Sequence, residues 1–416
     1  MTQTVPKSMR LQIGIFGRTN VGKSSFLNMV AGQDVAVTSE IPGTTTDVVE
    51  KSMELLPIGP VVFLDTAGTD DVSALSGKRL AKTKAIFERA DVFVLIMEFG
   101  VWTEFEEIIT REAEARKVPL VRVVNKADLQ APPAGFEPDG LSFLCSSITT
   151  AERDTYVDRF KRCLIEALPD EYLQPPPLVG DLITAGGVVM LVVPIDLQAP
   201  KGRLILPQVQ TIRDALDNDA AIMVVKEREY AHALAMLKPQ PRLAVCDSQV
   251  VMKMVADTPS DMACTTFSIL FARFKGDLVE EARGAVCIDR LRAGDKVLIA
   301  EACSHHAAED DIGRVKIPRW LRQYTGCDLT IDVASGRDYP SALAEYSLII
   351  HCGACMLTRR EMLTRLQRAR EAGVPVTNYG VAISFLQGVL ERVLSPFPAA
   401  LNAYRDEMNA GTDGGL

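Results

Sequence analysis

Residues 17–24 read Gly-Arg-Thr-Asn-Val-Gly-Lys-Ser and fit the pattern G-x-x-x-x-G-K-S. An apolar run, Leu11–Phe16, precedes this stretch, and the helical candidate Ser24–Ala31 follows it. A strand, a glycine turn and a helix in this order form a loop whose backbone N–H groups cradle phosphate oxygens. The sequence therefore predicts an α/β fold with a phosphate-binding loop. The residues expected to line it are Gly17, Asn20, Val21, Gly22, Lys23, Ser24 and Ser25.

The partners that such a loop requires follow in order along the chain. We expect Lys23 to reach the β- and γ-phosphates and Ser24 to ligate Mg²⁺. Asp65-Thr-Ala-Gly68 comes directly after the apolar run Val61–Leu64. Asp65 is placed to hold Mg²⁺ through water, and Gly68 to present its amide to the γ-phosphate. A chance glycine turn would not be followed by these residues.

A third motif selects the base. Asn125-Lys126-Ala-Asp128 follows the apolar run Leu120–Val124. An aspartate there accepts two hydrogen bonds from N1–H and N2–H₂ of guanine, which adenine cannot match, and the stem of Lys126 can lie across the base. The predicted ligand is therefore GTP. Ser146 and Ser147, after Cys145, are a weaker candidate for the loop that closes over the base.

The chain divides by composition into three predicted domains. Apolar runs alternate with amphipathic stretches up to about Leu168, which is typical of a mainly parallel sheet flanked by helices. Pro169 and the triplet Pro175–Pro177 then indicate a semi-rigid linker. We expect a P-loop GTPase domain at 1–170, a small α/β domain with a role in spacing or dimerisation at 178–262, and an α/β domain with a parallel sheet at 263–416. In the last of these, Val381–Val393 is predicted to be helical.

Cysteine and histidine concentrate in the third predicted domain. Cys303-Ser-His305-His306 and His351-Cys352-Gly-Ala-Cys355 contain three of the four histidines and three of the nine cysteines, with 45 residues between His305 and His351. These side chains bind soft or borderline metals, and the Cys-x-x-Cys spacing lets two thiolates meet one centre. Both segments follow predicted strands, and ligands of open α/β sheets gather at such strand ends.

Three interpretations of this motif compete. Any one of these cysteines alone would be a buried structural residue, but their occurrence together with His305 and His351 argues against that. A structural Cys₃His zinc site has a similar ligand set. The third interpretation is an iron–sulfur cluster held by Cys303, Cys352 and Cys355. Closed zinc sites usually stabilise small domains without a core, which favours iron–sulfur in a domain of this length.

Composition excludes several classes of protein. The net charge of −9 and the pI of about 5.2 argue against a general nucleic-acid or anionic-membrane binder. The first residues lack the apolar run of a signal peptide, and no stretch approaches the ~20 apolar residues that span a bilayer. An odd number of cysteines without an export signal is poor material for a disulfide framework. We therefore expect a cytoplasmic protein with reduced thiols.

The first 170 residues resemble the GTPases related to Era and to the tRNA-modification GTPase. By that resemblance Gly43-Thr-Thr45-Thr-Asp47 is switch I, and Thr45 senses Mg²⁺ and the γ-phosphate. Asn20 matches the asparagine that helps hold K⁺ in the potassium-activated members. Residue 69 is Thr where Ras-like enzymes carry a water-orienting Gln. The resemblance therefore implies slow GTP hydrolysis, stimulated by K⁺.

The whole chain resembles the FeFe-hydrogenase maturation GTPases of the HydF family, whose C-terminal motif is similar to its cysteine and histidine motif. The resemblance implies a dimeric scaffold with a 4Fe–4S cluster on Cys303, Cys352 and Cys355. It implies that the protein receives a diiron precursor bearing CO and cyanide, made with radical-SAM maturases, and delivers it to apo FeFe-hydrogenase. His305 and His351 match histidines of the motif and are candidate iron ligands. The alternative is a GTPase acting on RNA or ribosomes, with a structural zinc site.

Overall fold

The computed structural model describes residues 6–32, 49–65, 78–130, 140–168, 177–194, 204–302, 311–336 and 339–413, and the chain divides into two compact units, Met1–Pro175 and Pro176–Leu416. Switch I with Thr45, the residues Thr66–Gly68 and the segment from Cys303 to His306 lie outside the described residues. Within the described ranges, no helix is both long and apolar enough to cross a membrane.

The first unit is a six-stranded sheet flanked by helices. Its strands are β1 Leu11–Phe16, β2 Val49–Leu55, β3 Gly59–Asp65, β4 Val92–Glu98, β5 Leu120–Asn125 and β6 Ser142–Leu144, and its helices are α1 Lys23–Ala31, α2 Lys78–Arg89, α3 Glu104–Ala115 and α4 Arg153–Ala167. The strand order is β2-β3-β1-β4-β5-β6, and every pair is parallel except β2 with β3. Apolar cores cover both faces of the sheet, which is why its central strands are mainly apolar.

The parallel strands of this sheet place the nucleotide motifs at one end of it, the C-terminal end of the strands. Gly17 follows β1, Asp65 ends β3 and Asn125 ends β5. Ile15 of β1 is the register partner of Asp65, and Glu98 of β4 is the partner of Asn125. The C-terminal ends of parallel strands lie at the same end of a sheet, so all three motifs lie at that end.

The second unit contains two four-stranded parallel sheets. The first has the strands β7 Val188–Val192, β8 Ala221–Val225, β9 Leu243–Cys246 and β10 Ala263–Thr266, and the second has β11 Lys296–Ala300, β12 Thr330–Ala334, β13 Leu348–His351 and β14 Val376–Asn378. Their orders are β10-β9-β7-β8 and β12-β11-β13-β14, with every pair parallel. The helices are α5 Leu206–Asp217, α6 Tyr230–Met236, α7 Val251–Asp257, α8 Phe267–Lys275, α9 Leu278–Val286, α10 Ile317–Thr325, α11 Arg359–Glu371, α12 Tyr379–Leu386, α13 Leu390–Leu394 and α14 Pro398–Asp413.

One apolar core joins the two sheets of this unit. It contains Leu191 of β7, Phe271 of α8 and Ile350 of β13. Helix α9 lies directly on β14, because a Cβ at Gly284 would stand 1.9 Å from the carbonyl oxygen of Val376. The predicted α/β fold is thus confirmed. The division of the second unit into two domains at residue 262 stays a prediction.

The helix predicted over Val381–Val393 is two helices. Helix α12 ends at Leu386 and α13 begins at Leu390. Gly388 lies between them with φ of 70°, a left-handed conformation that ends a helix at little cost only for glycine. The apolar periodicity continues through the break, so the pattern alone could not locate it.

Candidate functional site

The phosphate loop lies between β1 and α1 and depends on a close backbone approach. Gly22 has φ of 97°, and a Cβ there would stand 2.3 Å from Nδ2 of Asn125. Nδ2 of Asn125 donates to the carbonyl oxygen of Val21 at 2.9 Å. The base-selecting motif therefore supports the phosphate loop directly, and a side chain at residue 22 would separate the two.

Lys23 is the first residue of α1 and points back into the loop. Its Nζ donates to the carbonyl oxygens of Gly17 at 2.7 Å and Arg18 at 3.0 Å. Asp65 is buried at the end of β3, and Ser24 is exposed in the first turn of α1. A cation and a hydroxyl at a helix N-terminus, with a carboxylate at the end of a neighbouring strand, are the groups that a phosphate with Mg²⁺ requires.

The predicted guanine site is assembled as a hydrogen-bonded group. Oδ1 of Asn125 accepts from the backbone N–H and the hydroxyl of Ser147 at 3.1 and 3.0 Å. Oδ1 of Asp128 accepts from the hydroxyl of Ser146 at 2.6 Å. The structure thus brings together Asn125, Asp128, Ser146 and Ser147, including the two serines that the sequence predicted only weakly.

Two acidic residues of this site were missed by the sequence analysis. Glu98 at the end of β4 forms an ion pair with Lys126 at 2.5 Å. Glu106 of α3 is buried and accepts from Nε of Arg18, in the phosphate loop, at 2.8 Å. Burial acts to raise the pKa of Glu106, but hydrogen bonds from Thr103 and Arg18 outweigh it and hold that pKa below its usual value. The T-x-x-E pattern at Thr103 predicts the helix start but not the partner 88 residues away.

The second candidate site is the cysteine loop, which we define as Cys352–Leu357. It follows β13 directly, and β13 pairs with β11 in parallel, with Ala300 opposite His351. The N–H of Cys352 donates to the carbonyl oxygen of Ala300 at 2.9 Å. The N–H of Ala302 donates to Sγ of Cys352 at 3.1 Å. Ala302 immediately precedes Cys303 in the sequence, so the last described residue before the first half of the motif lies against the sulfur of Cys352. That the two halves meet stays a prediction.

Cys355 is half-buried at the other end of the turn, with its thiol pKa raised by burial while the charge of Lys275 acts in the opposite direction. No group of three cysteine, histidine or acidic side chains arranged for a metal occurs in the ranges that the structure describes, which do not include Cys303 or His305. The described part of the site thus supplies two of the three predicted thiolates.

His351 is buried, with only 1% of its surface exposed, and both of its ring nitrogens have partners. Nε2 lies 3.0 Å from Nη1 of Arg365, and Nδ1 lies 2.8 Å from the carbonyl oxygen of Cys352. Because a guanidinium only donates, Nε2 accepts and Nδ1–H donates, which makes the ring neutral. Burial, followed by the charge of Arg365, lowers the pKa of His351 to about 3. In this arrangement His351 orients the cysteine loop, and its role as an iron ligand stays a prediction.

Three family models match the chain. One described as "50S ribosome-binding GTPase" matches residues 12–126, one described as "Hydrogen maturase F dimerization domain" matches 178–276, and one described as "Hydrogen maturase F tetramerization domain" matches 280–396. The last two together cover more than half of the chain. The first confirms the predicted GTPase domain.

Similar proteins of known name match a part of this chain. The tRNA modification GTPase MnmE of Nitrosomonas europaea is 39% identical over 130 residues, which are 30% of this chain and 28% of that protein. MnmE of Synechococcus sp. strain JA-3-3Ab is 43% identical over 123 residues, 29% of this chain and 26% of that protein. The chain therefore spans less than a third of the length of these relatives.

Among solved structures, the G domain of the Thermotoga maritima FeoB iron transporter matches 37% of this chain and 99% of that chain, with 18% identity and a TM-score of 0.27. Era of Aquifex aeolicus bound to GDP and aluminium fluoride matches 55% of this chain and 98% of that chain, with 19% identity and a TM-score of 0.29.

Proposed function

The chain belongs to the hydrogen maturase F family, and from that premise we propose that it is a GTP-hydrolysing scaffold for the metal cofactor of FeFe-hydrogenase. It holds a 4Fe–4S cluster through Cys303, Cys352 and Cys355. Its cargo is a diiron precursor bearing CO and cyanide, which it receives from radical-SAM maturases and delivers to apo FeFe-hydrogenase in the cytoplasm.

The observation that carries the cluster proposal is the contact between Ala302 and Cys352. A backbone N–H at 3.1 Å from Sγ stabilises a thiolate and tunes the potential of a cluster bound to it. The same contact holds the residue before Cys303 against the sulfur of Cys352. The donor set of three cysteines therefore fits a cluster with one iron left for an exchangeable ligand. Such a cluster supplies a position at which an incoming ligand binds and is released.

A structural zinc site is less well supported. Closed zinc sites stabilise domains that lack a core of their own. Here β11 and β13 are buried central strands between two apolar cores, so the sheet does not need a metal to hold it together.

In the GTPase domain the residues act by positioning and charge. Lys23 would neutralise the β- and γ-phosphates of GTP, and Ser24, Thr45 and Asp65 are the residues that would hold Mg²⁺, which supplies further positive charge to the phosphates. The Gly68 amide contacts the γ-phosphate, and Asn20 supports K⁺. Asp128 selects guanine, with Ser146 and Ser147 closing the pocket.

We place the homodimer contact in the domain that contains β8. This strand lies at the edge of its sheet and is apolar, yet Ala221 and Val224 are exposed, Val224 by 44%. An exposed apolar edge strand is a template for pairing with another chain. Val224→Lys should weaken the dimer, which sedimentation experiments measure. A molecular-mass distribution equal to that of the parent would show that β8 does not form the dimer contact.

The proposal is tested by anaerobic reconstitution with iron and sulfide. The parent should turn brown, absorb near ~400 nm and contain about four iron and four sulfide ions per chain. Cys303→Ala, Cys352→Ala and Cys355→Ala should each lose iron, because two thiolates do not retain a cubane against competing thiols. Cys327→Ala is the matched control, since this half-buried thiol of the same unit contacts carbonyl oxygens of Leu291 and Thr325 instead.

Stoichiometric zinc in the anaerobically isolated protein, without iron and with full activity, would contradict the cluster. The RNA-directed alternative makes a different prediction, namely tight RNA binding that survives loss of all three cysteines. Since the chain beyond residue 177 matches hydrogen maturase F domains, we do not expect that outcome.

A further inference from the structure

Lys275, the last residue of α8, is a buried lysine that the nucleotide and cysteine motifs do not include. Only 1% of its surface is exposed. We propose that its ammonium group both anchors the cysteine loop and serves as the fixed counterion of the anionic cluster held there. The counterion role rests on the proposed function. The anchoring does not, because it acts in the protein without a cluster.

The anchoring uses all the hydrogen-bonding capacity of the ammonium. Nζ donates to the carbonyl oxygens of Ala354 at 3.2 Å, Cys355 at 3.2 Å and Leu357 at 2.5 Å. An ammonium has three protons, so each is directed at the backbone of the cysteine loop. Ala354 has φ of 51°, which is unfavourable for alanine. The three contacts therefore hold a turn that the loop sequence alone would not favour.

The charge of Lys275 lacks an ordinary partner. Among the residues that the structure describes, no carboxylate lies within ion-pair distance of Nζ, and the ring of Phe271 faces it at 5.9 Å. Burial lowers the pKa of Lys275 to about 8, and the charges of Cys355, Glu361 and Cys352 act in the opposite direction. The carboxylate of Glu361 already accepts from the backbone N–H of Thr358 at 2.9 Å. Burying a cation is costly unless a negative charge compensates it, and the cysteines are the groups placed to do so.

A cluster with three thiolate ligands supplies that negative charge and gains more of it on reduction. A fixed cation beside it stabilises the reduced state more than the oxidised state, and so raises the reduction potential. Lys275 lies in the match to the dimerization domain, whereas the cysteine loop lies in the match to the tetramerization domain. Lys275 of the dimerization domain would thus set the reduction potential of the cluster that the tetramerization domain holds.

The test separates anchoring from charge with three variants. Lys275→Met removes both, Lys275→Gln keeps hydrogen-bond donors without charge, and Lys275→Arg keeps both. Lys253→Met is the matched control, because Lys253 of the same unit is half-exposed and pairs with Asp257. Each protein is measured without cluster, by amide hydrogen exchange of residues 352–357 and by alkylation of Cys355, and after reconstitution, by a redox titration followed by electron paramagnetic resonance.

We expect Lys275→Met to exchange and alkylate several-fold faster and its cluster to have a more negative midpoint potential than the parent. Lys275→Gln should show the potential shift with a smaller change in exchange, which keeps the test decisive if the Met variant does not fold. Parental exchange and potential in both neutral variants would overturn the inference. A parent that binds no cluster would instead contradict the proposed function, and the exchange measurement would still decide the anchoring.

Discussion

Asp128 is the residue on which guanine specificity depends. Asp128→Asn should weaken GTP binding and favour xanthosine triphosphate, whose base offers the complementary edge. Losing a charge-assisted bidentate contact costs about 2–4 kcal/mol, or roughly 30-fold or more in Kd. Calorimetry with both nucleotides measures the change. Asp158→Asn is the control, since it makes the same change at an exposed aspartate of α4 in the same unit. If Asp128→Asn bound GTP as tightly as the parent, the assignment of Asp128 to the base site would be wrong.

Glu281 of α9 is fully buried, and its pKa is raised well above the usual value by burial, with Asp277 and Glu280 adding to the effect. Because the folded-state pKa is the higher one, the folded protein holds the proton, and stability falls as pH rises above the unfolded-state pKa near 4.5. Glu281→Gln should therefore unfold at a higher temperature than the parent at pH 8, by a few degrees, and at a similar temperature at pH 4.5.

Thermal unfolding of the second unit across that pH range measures the effect. Glu229→Gln is the control, because Glu229 is exposed in the same unit. A difference between Glu281→Gln and the parent that does not change with pH would show that the carboxyl is not protonated in the folded state.

The phosphate loop is the element to which the potassium prediction belongs. Asn20 has φ of 63°, so alanine there would strain the loop, whereas Asn20→Gly removes the amide and keeps the backbone. We expect faster GTP turnover in KCl than in matched NaCl for the parent, and loss of that difference in Asn20→Gly. Equal rates of the parent in both salts, or an undiminished potassium response of the variant, would contradict the role of Asn20.

The elements that carry the motifs could be predicted from the sequence, because each strand that leads into a motif is a buried and mainly apolar run. Asp65, Asn125 and His351 were located in this way. Strand β2 was not predicted, since it alternates polar and apolar residues at an antiparallel edge. Glu106 and Lys275 were not predicted either, because their partners lie 88 and 79 residues away and only folding brings them together.

The orientation of His351 marks another limit of sequence. The motif indicates a metal ligand, and the ring stands at the predicted strand end beside Cys352. Its two nitrogens are engaged by Arg365 of α11 and by the backbone of the loop. Neither the periodicity of α11 nor the spacing of the motif identifies that arginine, which is buried by tertiary packing.

In the whole chain, the nucleotide site and the cysteine loop belong to different compact units. We therefore expect that GTP hydrolysis and iron binding can be lost independently. Cys355→Ala should lose iron but hydrolyse GTP at the parental rate. Lys23→Ala should lose GTP hydrolysis and retain the parental iron content. Phosphate release and iron analysis on the same preparations check both statements. Loss of GTP hydrolysis in Cys355→Ala would mean that the cluster ligands are required for the nucleotide site.

The most direct test of the carrier function is the activation of apo FeFe-hydrogenase. The protein, co-expressed with radical-SAM maturases and purified anaerobically, is mixed with the apo-enzyme, and H₂ evolution is measured. We expect activation by the parent and by Cys327→Ala, and none by Cys303→Ala, Cys352→Ala or Cys355→Ala. Full activation by these three variants, or none by an iron-loaded parent, would contradict the account.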